Sequence, residues 1–430
     1  MTTAIIRAMS LRYWARLTGA LAFTLAACTP GGAPQPTVTP TTPPILPSTL
    51  EPVTPTPSPM VISIWVAPAF APSPDTRAGS QLAERLAEYQ VRHPEVRLEV
   101  RIKEASGPAG LVHTLRVTSA AAPAALPDLI LLDASGLAEA AAEELIDAYP
   151  GELPLPQETD WYPFALEPTR IEGTTYGIAS ASQAEVLVYD PRRYARPPAD
   201  WSVILGGPAP FLFPAADPSA AFSLAQYLAL DGSLTQDNGS PGMEPAVLEE
   251  VLTFYGSAYN AGVLPLTTRQ FQDAGQTWKA YNEGRAASAV APLSAWMAKP
   301  GESAAVPLPT READGTCLTT SWSWAVVTRK DLAQEATVDL VEWLSDPFFL
   351  GPWSHALGML PPNQFALEAW PDGPGSTLAG QLVRIAQPMP VDAVLDVAGP
   401  AIQTAVDDVL SGAMSPQEAA LQAATEIGGR

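Results

Sequence analysis

Pro127-Asp128-Leu129-Ile130-Leu131-Leu132-Asp133, followed by Ala134-Ser135-Gly136, is a continuous apolar run that closes on a carboxylate and a small-residue loop. Four branched apolar residues in a row between turn signals read as a strand buried on both faces. Such strands belong to parallel sheets covered by helices. Upstream, Gly110 to Ala122 is Ala-rich and helical, and Val96 to Ile102 alternates apolar and charged side chains, as a strand with one wet face does. Further back, Arg77 to Arg92 carries Leu82, Leu86 and Tyr89 at helical spacing and stops before His93-Pro94. Val61-Ile62-Ser63-Ile64-Trp65-Val66 is a short β-branched run with prolines close on either side and reads as another buried strand. Downstream, Leu137 to Ile146 reads as a helix. Strand and helix alternate throughout, so the expected fold class is α/β with a mostly parallel sheet. Ligands of such sheets lie outside the carboxyl ends of the strands. That directs attention to the loops after Val66 and Leu132.

The chain ahead of this body has a different character. Arg7, Arg12 and Arg16 precede the apolar run Leu17 to Ala27, and no acidic residue occurs among the first 28. This is the pattern of an export signal, and the run is shorter than the roughly 20 residues a membrane span needs. Leu25-Ala26-Ala27-Cys28 resembles the bacterial lipobox, in which the Cys is lipidated and becomes the first residue of the mature chain. From Thr29 to Pro59 there are eleven Pro, eight Thr and one charge, Glu51. That composition cannot bury a core and favours a semi-rigid polyproline II spacer, reaching roughly 100 Å at about 3.1 Å per residue. Residues 1–27 are therefore expected to be a signal peptide and residues 28–59 a tether. The expected location is the cell envelope, on the outer face of the cytoplasmic membrane.

About 370 residues then remain, a comfortable length for two lobes. Loss of the three signal-peptide arginines takes the net charge from −22 to −25. So acidic a surface argues against nucleic acid as a partner and against a basic membrane-hugging patch. With Cys28 lipidated, only Cys317 remains, so no intramolecular disulfide forms, and a small buried hydrophobe is its ordinary role. His93, His113 and His355 are far apart in sequence and none has a partner at metal-ligand spacing. Neither metal nor cofactor is expected.

Several short motifs follow in a fixed order: Glu172-Gly-Thr-Thr-Tyr-Gly-Ile178, Leu187-Val-Tyr189-Asp190, Pro198-Ala-Asp-Trp201, Tyr281-Asn-Glu-Gly-Arg-Ala-Ala-Ser288, Ser321-Trp-Ser-Trp-Ala-Val-Val327, Gly358-Met-Leu-Pro-Pro362 and Gly412-Ala-Met-Ser-Pro-Gln-Glu-Ala419. Together with the opening strands, this order resembles the extracellular solute-binding proteins of ABC importers, the sugar-binding family that includes maltose-binding protein. The likeness spans roughly Val61 to Glu426. It departs at Asp190-Pro191, where the family has Asn-Lys, at Asp200, where it has Thr, and at Gly173-Thr174, where it has Gly-Lys. The resemblance implies a type II periplasmic-binding-protein fold: two α/β lobes joined by a hinge, with the ligand cleft between them. The expected lobes are residues 60–164 with 307–345, and residues 165–306 with 346–430. The chain is expected to cross between them near Tyr162–Pro168, Ala304–Thr316 and Ser345–Phe349. The implied partners are a small solute, a mono- or oligosaccharide, and the membrane permease subunits, with the chain itself a monomer.

A sugar site needs aromatic platforms for C–H faces beside carboxylates, amides and hydroxyls. The mature chain has ten Trp but only four Lys. Trp65, Trp296, Trp322, Trp324 and Trp353 fall in or near expected strand-end loops and are candidate ligand contacts, although packing is the commoner use of any single Trp. Trp322 and Trp324 alternate on one strand and so share a face. Trp343 fits the apolar stripe of the helix Ala333 to Leu344 and is expected in the core. Asp133 and Ser135 end the buried strand, where Asp133 could equally cap the next helix. Ser182 and Gln183 occupy a hinge-adjacent stretch where the family places polar contacts. Tyr189 closes the alternating stretch Ala184 to Tyr189 and could instead pack the sheet.

The chain lacks a Gly-x-Ser-x-Gly elbow, a Gly-rich phosphate loop and His-Glu-x-x-His. Adjacent acids such as Glu143–Glu144 and Glu249–Glu250 sit on expected helices, where neighbouring positions do not face each other. A binding protein rather than an enzyme is therefore expected. The alternatives are a surface-anchored carbohydrate-active enzyme and an adhesin or scaffold that keeps the fold.

Overall fold

The computed structural model describes residues 59–155, 157–236, 240–327, 334–390 and 394–429. The expected signal peptide, Cys28 and the tether up to residue 58 lie outside the described residues. The strands are β1 (Met60–Val66), β2 (Val96–Ile102), β3 (Leu129–Asp133), β4 (Arg170–Ile171), β5 (Thr174–Thr175), β6 (Ile178–Tyr189), β7 (Phe211–Leu212), β8 (Ser288–Pro292), β9 (Ala304–Val306), β10 (Cys317–Val326) and β11 (Ala386–Pro388). The main sheet runs β2-β1-β3-β10-β6-β8-β7, with β11 beside β10 and β9 beside β6, while β4 and β5 form a separate hairpin.

The opening units match the sequence pattern closely. β1 pairs parallel with both β2 and β3, and the helix Arg77–Arg92 crosses between β1 and β2 with Leu82, Leu86 and Tyr89 buried. Thr76 caps that helix by accepting a hydrogen bond from Gly79 N at 3.0 Å. Gly79 is required there: a Cβ would lie 2.4 Å from the Ser73 carbonyl oxygen. The helix after β3 starts earlier than its periodicity suggests, at Ala134, because Asp133 caps it through a 2.7 Å bond from Gly136 N. It stops at Ala142 and is followed by Glu144 at φ 55°, a left-handed turn that breaks the helix.

The later strands make the sheet mixed rather than mostly parallel. β10 returns antiparallel to β3 and to β6, and β6 is antiparallel to β8 and β9. β6 is the long element, twelve residues against the six its alternation suggests. Its first half, to Ala184, pairs with β10; from Glu185 onward it pairs with β8 and, from Leu187, with β9. Where the first pairing holds, Ser182 Oγ and Ser321 Oγ share a buried 2.7 Å hydrogen bond, and Ser321 Oγ donates to the Phe164 carbonyl at 3.0 Å. Buried hydroxyls are kept only when satisfied in this way, and here they pin β6 onto β10.

Two large apolar clusters carry the core. The first gathers β1, β3, β10 and the helices Arg77–Arg92 and Gln334–Leu344, and also takes Leu350, Trp353, Leu378 and Leu382 from the segment after Ser345. The second gathers Phe211, Phe222, Leu252 and Tyr255 with Ile402, Val406 and Ala420 of the C-terminal helices. Trp343 is not the core residue that its stripe suggests. Thr337, Leu340, Val341 and Leu344 form the buried face of that helix, and this leaves Trp343 half-buried at the seam with the helix Arg77–Arg92. There the Arg85 and Arg92 guanidinium carbons lie 3.5 and 4.3 Å from its ring centre.

Candidate functional site

β6 exchanges one partner for another at Ala184–Glu185, and the space opened there is a cavity of about 400 Å³. Its floor comes from Gln183 and Glu185 on β6 and from Leu318 and Thr320 on β10. Residues one and three positions along two paired strands point to one face, which is why these four converge. Asp217 and Ser219, ahead of the helix Ala221–Leu228, and Asp273, ahead of the helix Ala274–Asn282, form the opposite wall; Met389 closes a corner.

Two of the three carboxylates have structural partners. Asp217 accepts from Ser219 N at 2.9 Å, from Ser219 Oγ at 2.8 Å and from Ala221 N at 3.0 Å. Asp273 is an N-cap, accepting from Gln276 N and Gln276 Nε2 at 2.9 Å. Glu185 has no hydrogen-bond partner among the described residues. Its side chain keeps part of its surface open to the cavity, but protein encloses it at longer range. Burial, together with the charges of Asp217 and Asp273, pushes its carboxyl up to about 8. Behind it Cys317 is fully buried, and burial, aided by Glu185, pushes the thiol up to about 12. A thiol so placed stays protonated and unreactive. Among the described residues no Lys or Arg lines the cavity, and no group of His, Cys, Asp or Glu is arranged to hold a metal ion.

Of the ten residues singled out by sequence, Gln183 alone lines this cavity. Ser182 faces the other way, into the Ser321 hydrogen bond. Asp133 caps its helix, and burial raises its pKa; Ser135 is exposed on the first turn of the same helix. Trp65, Trp322, Trp324 and Trp353 are all buried in the first apolar cluster. Phe70 is wedged among them, its ring centre 4.8 Å from Trp322 and 5.8 Å from Trp353. Tyr189 packs edge-on against Tyr194. Trp296 is buried beside a separate cavity of about 340 Å³, shared with Met297 and His355, and donates to Ser303 Oγ at 3.2 Å. The cavity carboxylates left no motif. Asp217 and Asp273 read as ordinary helix caps, and the one available signal was Glu185, a lone acid inside the apolar strand Ala184 to Tyr189.

The wall bearing Asp217 is held by close packing. A Cβ on Gly399, inside the helix Leu395–Ser411, would lie 2.6 Å from the Pro218 carbonyl oxygen. Gly399→Ala gains up to about 1 kcal/mol of helix propensity, but the clash should outweigh it and leave a net loss of about 1–2 kcal/mol. The check is a urea unfolding curve, whose midpoint should fall; an unchanged or higher midpoint would contradict the packing described.

A family model described as bacterial extracellular solute-binding protein matches residues 84–375. No curated protein sequence matches the chain. Solved structures do. The cyclic α-maltosyl-1,6-maltose binding protein of Arthrobacter globiformis superposes with a TM-score of 0.71 at 17% identity, over 86% of this chain and 99% of its own. The sugar-binding protein MalE of Xanthomonas citri gives 0.71 at 17%, over 86% and 97%. Maltose-bound MalE3 of T. maritima gives 0.67 at 16%, over 86% and 99%. At such identities the likeness concerns the fold, which is the maltose-binding-protein-like, type II periplasmic binding fold. No helix among the described residues is long and apolar enough to cross a membrane. With the family model matching well over half its length, the chain belongs to the bacterial extracellular solute-binding proteins.

Proposed function

We propose that this chain is the lipid-anchored solute-binding protein of an ABC importer, which captures a carbohydrate between two lobes and passes it to the membrane permease. The observation that carries the reading is the cavity at the point where β6 changes partners, with an amide, a hydroxyl and carboxylates facing one another across it. Strands that run through such a junction act as the hinge. Thr320 belongs to one lobe in this reading, and Gln183, Asp217 and Asp273 to the other. Closure then follows from a ligand that touches both walls, since a ligand that favours neither state shifts nothing. The structural neighbours bind maltose and related sugars, which supports a saccharide here. Capture without turnover is the activity proposed, with Cys28 as the lipid attachment point.

Melting curves of the mature chain against mono- and oligosaccharides test the function. A ligand that binds only the folded state adds RT ln(1 + [L]/Kd), about 2.7 kcal/mol at a hundredfold excess, and one saccharide class should raise Tm by several degrees. Silence from every saccharide would contradict the carbohydrate reading. For the anchor, Cys28→Ser should move the protein from the detergent phase to the aqueous phase in a cloud-point separation, because acyl chains contribute about 0.8 kcal/mol per buried methylene. Retention in the detergent phase would mean another anchor.

A further inference from the structure

The charge balance of the cavity points to a narrower solute. Hydroxyl groups of a neutral sugar can donate to carboxylates but bring no counter-charge. Glu185, Asp217 and Asp273 line the cavity together, and among the described residues no basic side chain does. The positive ends of the helices Ala221–Leu228 and Ala274–Asn282 face it, and each already has a carboxylate on one of its N–H groups, Asp217 on Ala221 N and Asp273 on Gln276 N. Glu185 is left over: a carboxyl without a hydrogen-bond partner, facing the cavity and flanked by two like charges. Cys317, on the strand behind it, offers only a neutral thiol.

A carboxylate largely shielded from solvent and set among like charges favours a proton or a cation as its partner. We propose, building on the carbohydrate reading above, that the solute of this cavity carries a protonated amine, as an amino sugar does, with its ammonium on Glu185 and its hydroxyls on Gln183 and Thr320. The empty site meets the same need with a proton. Because Glu185 titrates at about 8, most molecules hold the carboxyl neutral at pH 7. An entering ammonium favours the carboxylate, the carboxyl O–H bond breaks, and the proton leaves to the buffer. Binding at pH 6, where an amino sugar arrives almost wholly as the ammonium and the Glu185 carboxyl is still protonated, should therefore release close to one proton.

The test is calorimetric titration of the full mature chain at pH 6, in two buffers of different ionisation enthalpy. The probes are the fully deacetylated glucosamine trimer, its N-acetylated counterpart, maltotriose and spermidine. The expected result is binding of the glucosamine trimer about tenfold or more tighter than either neutral trimer, with proton release. Glu185→Gln should abolish both the preference and the release, while its melting curve shows that it still folds. Spermidine binding without any saccharide would keep the ammonium assignment and remove the carbohydrate reading. Maltotriose binding as tightly as the glucosamine trimer would overturn the inference and leave the carbohydrate reading standing. Failure of both amine probes to bind, or amine binding unchanged in Glu185→Gln, would overturn the inference as well.

Discussion

Glu185→Gln should make the ligand-free protein more stable, and the gain should depend on pH. In the fold the carboxyl titrates at about 8 against an ordinary value of 4.5. A raised acid pKa means that the folded state holds its proton more tightly than the unfolded chain does. The stability that this proton contributes is complete below pH 4.5, is lost as pH rises, and is gone above about 8. The amide variant carries no such loss. Wild type and variant should therefore melt together near pH 4, separate progressively through neutrality, and reach their largest difference near pH 8.5. The full shift corresponds to somewhat under 5 kcal/mol at about 1.36 kcal/mol per pH unit. The side chain keeps contact with the cavity, so solvent screening reduces this to about 2–3 kcal/mol, or several degrees in Tm for a body of this size. Thermal melts at four pH values between 4 and 9 are sufficient. A variant less stable than wild type at pH 8.5 would show that Glu185 has a favourable partner, and the electrostatic description of the cavity would fail.

Trp324→Ala and Gln183→Ala should fail in opposite ways. Trp324 is 1% exposed and packed in the first apolar cluster; its truncation should cost about 3–5 kcal/mol of stability and leave ligand affinity nearly unchanged in the molecules that stay folded. Gln183 is exposed to the cavity and holds nothing else together. Its truncation should leave the melting temperature within about a degree of wild type, as surface substitutions usually do, and weaken ligand binding about five- to tenfold through loss of a hydrogen bond. Paired denaturation and titration of the two variants decide the matter. A stable Trp324→Ala that binds poorly would return the tryptophans to the site.

That contrast shows what was legible in the sequence. β1 to β3 and the helix Arg77–Arg92 were readable because burial imposes periods of two and 3.6 on local sequence, and because His93-Pro94 and Asp133 mark boundaries chemically. The antiparallel return of β10 was not, since the pairing of Trp322 with Asp133 is a contact between residues far apart in sequence. The tryptophans misled for a physical reason. Trp supplies the largest apolar area of any side chain, and in an α/β body this area fills the space between sheet and helix as readily as it forms a platform. Trp65, Trp322, Trp324 and Trp353 do the former, with Phe70 closing over two of them. The cavity carboxylates were hidden because Asp217 and Asp273 look like the helix caps they also are. Only the chain path reveals that both caps face Glu185.

The most direct test of capture at the β6 junction is a crystal structure of the complex with whichever saccharide raises Tm. The account predicts ligand density between Gln183 and Thr320 on one wall and Asp217 on the other, with an amine or hydroxyl against Glu185. Density in the cavity beside Trp296 and His355 instead, with the β6 junction empty, would contradict it.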